Sequence, residues 1–158
     1  MNMTPENIGR DEIEEEPTKK IKNGTLSVLI VDDEKYIRDL LADLVRHNAH
    51  ESETAVDGED ALVKLSQKRF DVVLTDIKMP RLDGYSLLKK VKEKHPETAV
   101  VVMTGYSQEF SVREALSLGA EEYLSKPFHT EEVMMVIERA HWRNQVKRKR
   151  ANSYPIDD

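Results

Sequence analysis

The 158 residues contain no cysteine. Disulfides, thiolate zinc sites and cysteine nucleophiles are therefore excluded outright. No apolar run approaches the roughly 20 residues that a membrane-spanning helix needs. The stretch Met1 to Asp11 lacks a basic segment followed by an apolar core, so no signal peptide is read there. With no export signal, the cytoplasm is the expected compartment. Basic residues are outnumbered. The 24 Lys and Arg against 30 Asp and Glu leave a formal net charge of −6, which argues against general affinity for nucleic acid. A chain that is 39% hydrophobic and 34% charged fits a charge-rich globular protein, one domain with tails.

Residues 1–24 are polar and carry the acidic run D-E-I-E-E-E at Asp11 to Glu16, followed by Pro17 and Lys19-Lys20. They are expected to be a disordered acidic leader. The folded domain is expected over 25–144, with a basic tail over 145–158. Leu26 to Val31 reads as a buried strand. Ile37, Leu40, Leu41, Leu44 and Val45 recur at helical spacing. A polar strand, His50 to Ala55, precedes a turn at Asp57-Gly58 and a helix bearing Ala61, Leu62 and Leu65. Val72, Val73 and Leu74 form a run with no polar face, ended by Asp76. A helix from about Asp83 to Lys94 stops at His95-Pro96. Ala99 to Met103 is another apolar strand. Ser107 is placed to cap the next helix, which carries Val112, Ala115 and Leu116 and ends at Gly119. Glu121 to Leu124 is the fifth strand. Lys126-Pro127 breaks the chain, and Thr130 is expected to cap a last helix with Glu131 and Glu132 in its first turn.

Five strands alternating with five helices specify an α/β fold: a five-stranded parallel sheet with helices on both faces. The three apolar strands belong in the centre and the two polar ones at the edges. With right-handed crossovers, the order 2-1-3-4-5 meets these conditions and matches a known doubly wound arrangement. Such sheets bind ligands beyond the carboxyl ends of their strands, where strands 1 and 3 part.

That crevice would receive Asp32 and Asp33 from strand 1 and Asp76 from strand 3, on backbones about 4.8 Å apart. Asp76 is poorly explained as a helix cap, because Met79-Pro80 intervenes and Asp83 is better placed. Three converging carboxylates repel one another. A hard divalent cation resolves this, and Mg²⁺ suits a site with few carboxylates and several retained waters. With Mg²⁺ the crevice becomes a phosphoryl site. Thr104, at the end of strand 4, offers a hydroxyl. Lys126 follows strand 5, roughly 10 Å from Asp76 at the backbone, a gap that its long side chain can largely cover. Acid pair, lone acid, hydroxyl and lysine are the parts for nucleophilic carboxylate chemistry on a phosphoryl group. Every strand except the polar second one contributes a group.

The segments V-L-I-V-D-D-E, D-V-V-L-T-D-I-K-M-P-R-L-D-G, V-V-M-T-G-Y and Y-L-S-K-P-F stand in order over about Leu26 to Asn144. In this the chain resembles a response-regulator receiver domain, CheY-like within the flavodoxin-like class. The resemblance implies that Asp76 takes a phosphoryl group from a histidine kinase or histidine phosphotransferase. It implies Mg²⁺ bound by the Asp33 and Asp76 side chains, by Asp32 largely through water, and by the backbone carbonyl of Lys78. Thr104 and Lys126 would grip the phosphoryl oxygens, Tyr123 would be the aromatic switch, and the Lys126-Pro127 bond would be cis. The output would be protein contact through helix 4, strand 5 and helix 5, with a homodimer on phosphorylation as one form. No membrane is implied, and nucleic acid is not expected for this chain alone.

Other readings stay open at this point. T-G-Y after strand 4 resembles receivers that precede ATPase output domains, so the chain is also readable as the receiver part of a longer transcriptional regulator. A Mg²⁺ phosphohydrolase resembling the haloacid-dehalogenase family wants an acid two residues after the nucleophile, where Lys78 stands. A flavin site wants a glycine- and hydroxyl-rich loop after strand 1, where Asp32-Asp33-Glu34 stands. A phosphorylation-independent scaffold would not need the full set of site residues. Tyr106, two residues past Thr104, is placed to shield an acyl phosphate from water. From Arg139 to Arg150 the last helix carries six basic residues and no acid. They read first as a solvated helix end and second as a docking surface, with Trp142 and Val146 partly exposed beside them.

Overall fold

A computed structural model of the chain describes residues 24–105 and 109–153. The acidic leader up to Asn23, the cap expected at Ser107 and the shielding role of Tyr106 lie outside the described residues. The elements alternate as expected: β1 (Ser27–Val31), α1 (Lys35–His47), β2 (Glu51–Ala55), α2 (Gly58–Gln67), β3 (Val72–Asp76), α3 (Gly84–Lys94), β4 (Ala99–Thr104), α4 (Glu109–Ser117), β5 (Glu122–Ser125) and α5 (Thr130–Ser153). All strand pairs are parallel, in the order β2-β1-β3-β4-β5.

The apolar strands lie inside because both of their faces are covered. Along β1, β3 and β4 successive side chains point to opposite sides. Val28, Ile30, Val72, Leu74, Val101 and Met103 pack with α1 and α5. Leu29, Val31, Val73, Val100 and Val102 pack with α2, α3 and α4. The polar strands β2 and β5 take the edges. There only alternate residues of β5 are buried, Glu122 and Leu124 but not Tyr123 or Ser125.

Local chemistry sets the helix ends. Asp57 and Asp83 cap α2 and α3, each accepting a hydrogen bond from the backbone N–H three residues on. Gly119, at φ 107°, supplies the left-handed turn that ends α4. Several element ends shift by a residue, β1 starting at Ser27, β2 at Glu51 and β4 ending at Thr104. Strand β5 begins at Glu122 rather than Glu121. Thr130 is the first residue of α5 rather than its cap, and Glu132 reaches back to accept from the N–H of His129. Leu116 is a further correction: it faces outward, 45% exposed, while Ala115 alongside it is buried.

The basic row on α5 is not simply solvated. Arg139 and Arg143 pair with Glu122 at 3.1 and 2.7 Å, and Lys147 pairs with Glu121 at 3.0 Å. The reason is packing: α5 lies along edge strand β5, whose first acids face that row. Arg148, Lys149 and Arg150 remain exposed, and the helix runs unbroken past Asn144 to Ser153.

Glu121 is the centre of this junction. Its side chain is fully buried, yet it accepts from Lys92 of α3 at 2.8 Å, Asn144 at 3.1 Å, Lys147 at 3.0 Å and the N–H of Val100 at 2.8 Å. Burial pulls the Lys92 ammonium below its ordinary value, and the Glu121 charge restores part of that. One carboxylate thus joins α3, β4 and α5 at the end of the sheet opposite Asp76. Glu121→Ala strands the half-buried Lys92 ammonium and is expected to cost about 3–5 kcal/mol in urea unfolding. Lys35→Ala, which breaks an exposed pair with Asp39, is expected to leave the urea midpoint unchanged within error.

Candidate functional site

Strand register brings the acids level. Val31 of β1 lies opposite Thr75 of β3, so Asp32 and Asp76, the next residue on each, end their strands side by side. Asp76 lies opposite Met103 of β4, and Thr104 opposite Ser125 of β5, which puts Thr104 and Lys126 at the same rim. Carboxylate oxygens of Asp32, Asp33 and Asp76 all fall within 4.8 Å of one another. Every sequence-derived group except Tyr123 converges here.

The three acids have different surroundings. Asp32 is fully buried and both its oxygens are committed. One accepts from the Glu34 N–H at 2.9 Å, which also serves the uncapped start of α1. The other accepts from Lys126 Nζ at 2.9 Å. Asp33 is exposed and has no hydrogen-bond partner among the described residues. Asp76 is in between. One oxygen accepts from the Ile77 N–H at 2.8 Å, and the other lies 3.4 Å from Lys126 Nζ.

Lys126 therefore spans the sheet from β5 to β1, with Glu34 a further 4.0 Å contact. Its backbone is fixed as well, the N–H donating to the Thr104 carbonyl at 2.6 Å. The Lys126-Pro127 peptide is cis, as the resemblance implied. One cation serves two carboxylates, and the titrations reflect that. Burial raises the Asp76 carboxyl above its ordinary value. Lys126 and the Ile77 N–H offset part of this, while neighbouring Asp32 adds to it. Burial works against the Lys126 charge too, but the hydrogen bond from Lys126 to Asp32 and the two negative charges outweigh it, so the ammonium is raised.

Two depressions flank Ile77-Lys78. One, of about 210 Å³, is lined by Asp76, Met103, Thr104, Gly105 and Lys126. The other, about 590 Å³ and open, is bounded by Asp33, Met79, Pro80, Asp83 and Tyr85. Tyr123 lies apart from both, 42% exposed on the β5 edge. The all-oxygen set of Asp32, Asp33 and Asp76 fits a hard cation such as Mg²⁺.

Sequence reasoning missed Arg38. Its guanidinium donates to the Asp32 carbonyl at 2.7 Å from the first turns of α1 and so holds the acid pair from behind. The available signal was a long cation six residues after the first acid, on the helix those acids open.

The chain matches the model of the response regulator receiver domain over residues 28–138. It belongs to that family. It is 38% identical over 120 residues to the DNA-binding transcriptional regulator NtrC of Salmonella typhimurium, which spans 75% of this chain and 26% of NtrC. Among solved structures, NtrX from Brucella abortus superposes with a TM-score of 0.76 at 34% identity, covering 82% of this chain and 30% of that one. The chemotaxis protein CheY4 of Vibrio cholerae gives 0.70 at 31% identity, covering 74% of this chain and 99% of that one. This receiver chain thus spans about a quarter of its NtrC relatives and nearly the whole of the CheY4 chain. No helix among the described residues is long and apolar enough to cross a membrane.

A raised carboxyl has a definite consequence for stability. The folded protein binds the Asp76 proton more tightly than the unfolded chain, so ionising it weakens the fold as pH rises from the ordinary carboxylate range through the raised value. Asp76→Asn is expected to raise the thermal midpoint by a few degrees at pH 7. That gain should fade once pH falls below the ordinary aspartate value, as followed by thermal melts across pH in chelator.

Proposed function

We propose that Asp76 is the phosphoacceptor of a two-component or phosphorelay switch. The observation that carries this reading is the setting of its carboxylate. It is part-exposed at the rim of a cavity shared with Thr104 and Lys126, and within reach of Asp32 and Asp33. An Asp76 oxygen attacks the phosphorus of a phosphohistidine on a histidine kinase or histidine phosphotransferase. The P–N bond breaks, an acyl phosphate forms, and the imidazole leaves and takes up a proton. Asp33 and Asp76, with the Lys78 backbone carbonyl, would hold Mg²⁺, and Asp32 would contribute through water. That Asp32 already spends both oxygens on protein donors supports its indirect part. Mg²⁺, when bound, offsets the charge of donor and acceptor oxygens. Thr104 and Lys126 receive the phosphoryl oxygens.

The new dianionic group competes with Asp32 for Lys126 and draws in the Thr104 hydroxyl. Space vacated by Thr104 lets Tyr123 turn from its exposed position, which biases the face made by α4, β5 and α5 towards a partner or a second copy. In this reading the protein works in the cytoplasm, turns over no substrate beyond its own phosphoryl group and needs no nucleic acid. A second reading has a specific observation behind it. The chain matches about a quarter of NtrC, whose name marks it as a DNA-binding transcriptional regulator. There the switch serves an attached output domain through α5.

Acetyl phosphate tests the acceptor. Wild-type protein should gain one phosphoryl group by intact mass only when Mg²⁺ is present, and Asp76→Asn should gain none. Labelling of Asp76→Asn at the wild-type rate would move the acceptor elsewhere. Turnover of phosphate esters would revive the phosphohydrolase. Sizing of labelled and unlabelled protein tests the homodimer.

A further inference from the structure

Strand β2 supplies no group to the site, yet the corner that follows it touches the loop after Asp76. Residues 77–83 leave Asp76 and return as α3. At the inner end the loop is closed tightly. The Gly84 N–H donates to the Ile77 carbonyl at 2.8 Å, and a Cβ on Gly84 would sit 2.3 Å from the Asp76 carbonyl oxygen. At the outer end it rests on the β2–α2 corner. Arg81 takes a left-handed backbone conformation, φ 69°, which is uncommon for a non-glycine residue. Its guanidinium meets Asp57 at 3.0 Å.

The side chain of Asp57 is 3% exposed, and its other oxygen caps α2 through the Asp60 N–H at 2.9 Å. Beside it, Leu82 fills the space over Gly58. A Cβ there would come within 2.6 Å of the Leu82 carbonyl oxygen and 2.8 Å of Leu82 Cβ. Ion pair and notch together seat the two residues that follow Pro80. Lys78 lies between the two anchored ends.

We infer that the Asp57–Arg81 pair, with Leu82 seated on Gly58, is a positioning latch that holds the Lys78 carbonyl in register for the cation. Asp57, Gly58, Arg81 and Leu82 touch no reacting atom. They act through the backbone of the loop. This rests on the Mg²⁺ reading of Asp33, Asp76 and Lys78 given above. It gives β2 a part in the site after all, together with the Ala55 carbonyl, which accepts from the Asp32 N–H at 3.2 Å.

The sign of one substitution separates positioning from simple charge. Arg81→Met removes a cation from the neighbourhood of the site. Long-range electrostatics alone then predicts tighter Mg²⁺ binding, whereas a lost latch predicts weaker binding. Asp57→Asn keeps the capping oxygen and loses the ion pair. A Mg²⁺ titration of the full chain, followed through the backbone amide resonances of Ile77 and Lys78, reads both. Each variant is expected to bind Mg²⁺ about tenfold more weakly than wild type. The double variant should be no weaker than either single one, as expected for one shared interaction. Thermal midpoints should stay within about 4 °C, and labelling of Asp76 by acetyl phosphate at saturating Mg²⁺ should recover to within about twofold. Arg81→Met that binds as tightly as wild type, or more tightly, overturns the latch. If wild-type protein itself shifts no amide with Mg²⁺, the metal reading falls first and the latch with it. Wild-type binding beside unchanged variants overturns the latch alone.

Discussion

The site depends on one shortage: three carboxylates meet at the rim of the sheet, and a single ammonium answers them. Lys126 reaches from the end of β5 over β4 and β3 to Asp32, and lies 2.9 Å from Asp32 but 3.4 Å from Asp76. The buried acid takes the shorter contact because it has no water to turn to. Asp76 takes the longer contact, and burial, which Lys126 only partly offsets, raises its carboxyl. Asp33 stays exposed. The crevice is under-neutralised by design of the strand ends, and that is the condition in which a divalent cation and a phosphoryl group complete one another.

This shortage is sustainable because the sheet is rigid beneath it. Each of β1, β3 and β4 is buried on both faces, so Asp32, Asp76 and Thr104 are carried on backbone with little freedom to spread apart. Burial raises the Asp76 carboxyl and the neighbouring Asp32 charge adds to it, on strands that are held in place. The same rigidity explains the cost of Gly84. No side chain fits between the return of the loop and the Asp76 carbonyl, so the acceptor and the start of α3 are locked together.

Much of this was legible in the chain itself. Which strands lie inside followed from which were apolar, because burial on two faces leaves a direct mark on residue choice, and the order came from matching that division to a known doubly wound arrangement. The convergence of Asp32, Asp33, Asp76, Thr104 and Lys126 followed from the order. What escaped were contacts that depend on side-chain reach across elements far apart in sequence. The pairs Arg81–Asp57, Arg139–Glu122 and Lys147–Glu121 carry no periodic signature. Each charge looks like any surface charge until the opposing element is in place. The sequence marks Glu121 only as the start of the fifth strand, and its burial depends on the joint arrival of Lys92, Asn144 and Lys147. The one-residue shifts at β5 and α5 have a milder cause, since strand and helix ends are set by hydrogen bonds that composition specifies only loosely.

Strand β5 joins the two polar centres. It is four residues long, with Lys126 directly after it and Glu121 directly before it. At one end Lys126 is tied to the acids of the site. At the other, Glu121 and Glu122 are tied to Asn144, Lys147, Arg139 and Arg143 of α5. Tyr123 lies between these ends, opposite Val102 and open to solvent. Both polar centres therefore sit at the ends of one four-residue strand, whose Leu124 also shares an apolar core with Val133, Val136 and Ile137 of α5. In the switch proposed for Asp76, one short strand is flanked by the cation at the acceptor and carries acids that pair with the helix a partner or output domain would read. Arg148, Lys149 and Arg150 then extend that helix beyond the paired row, as cations with no acid assigned to them within the described fold.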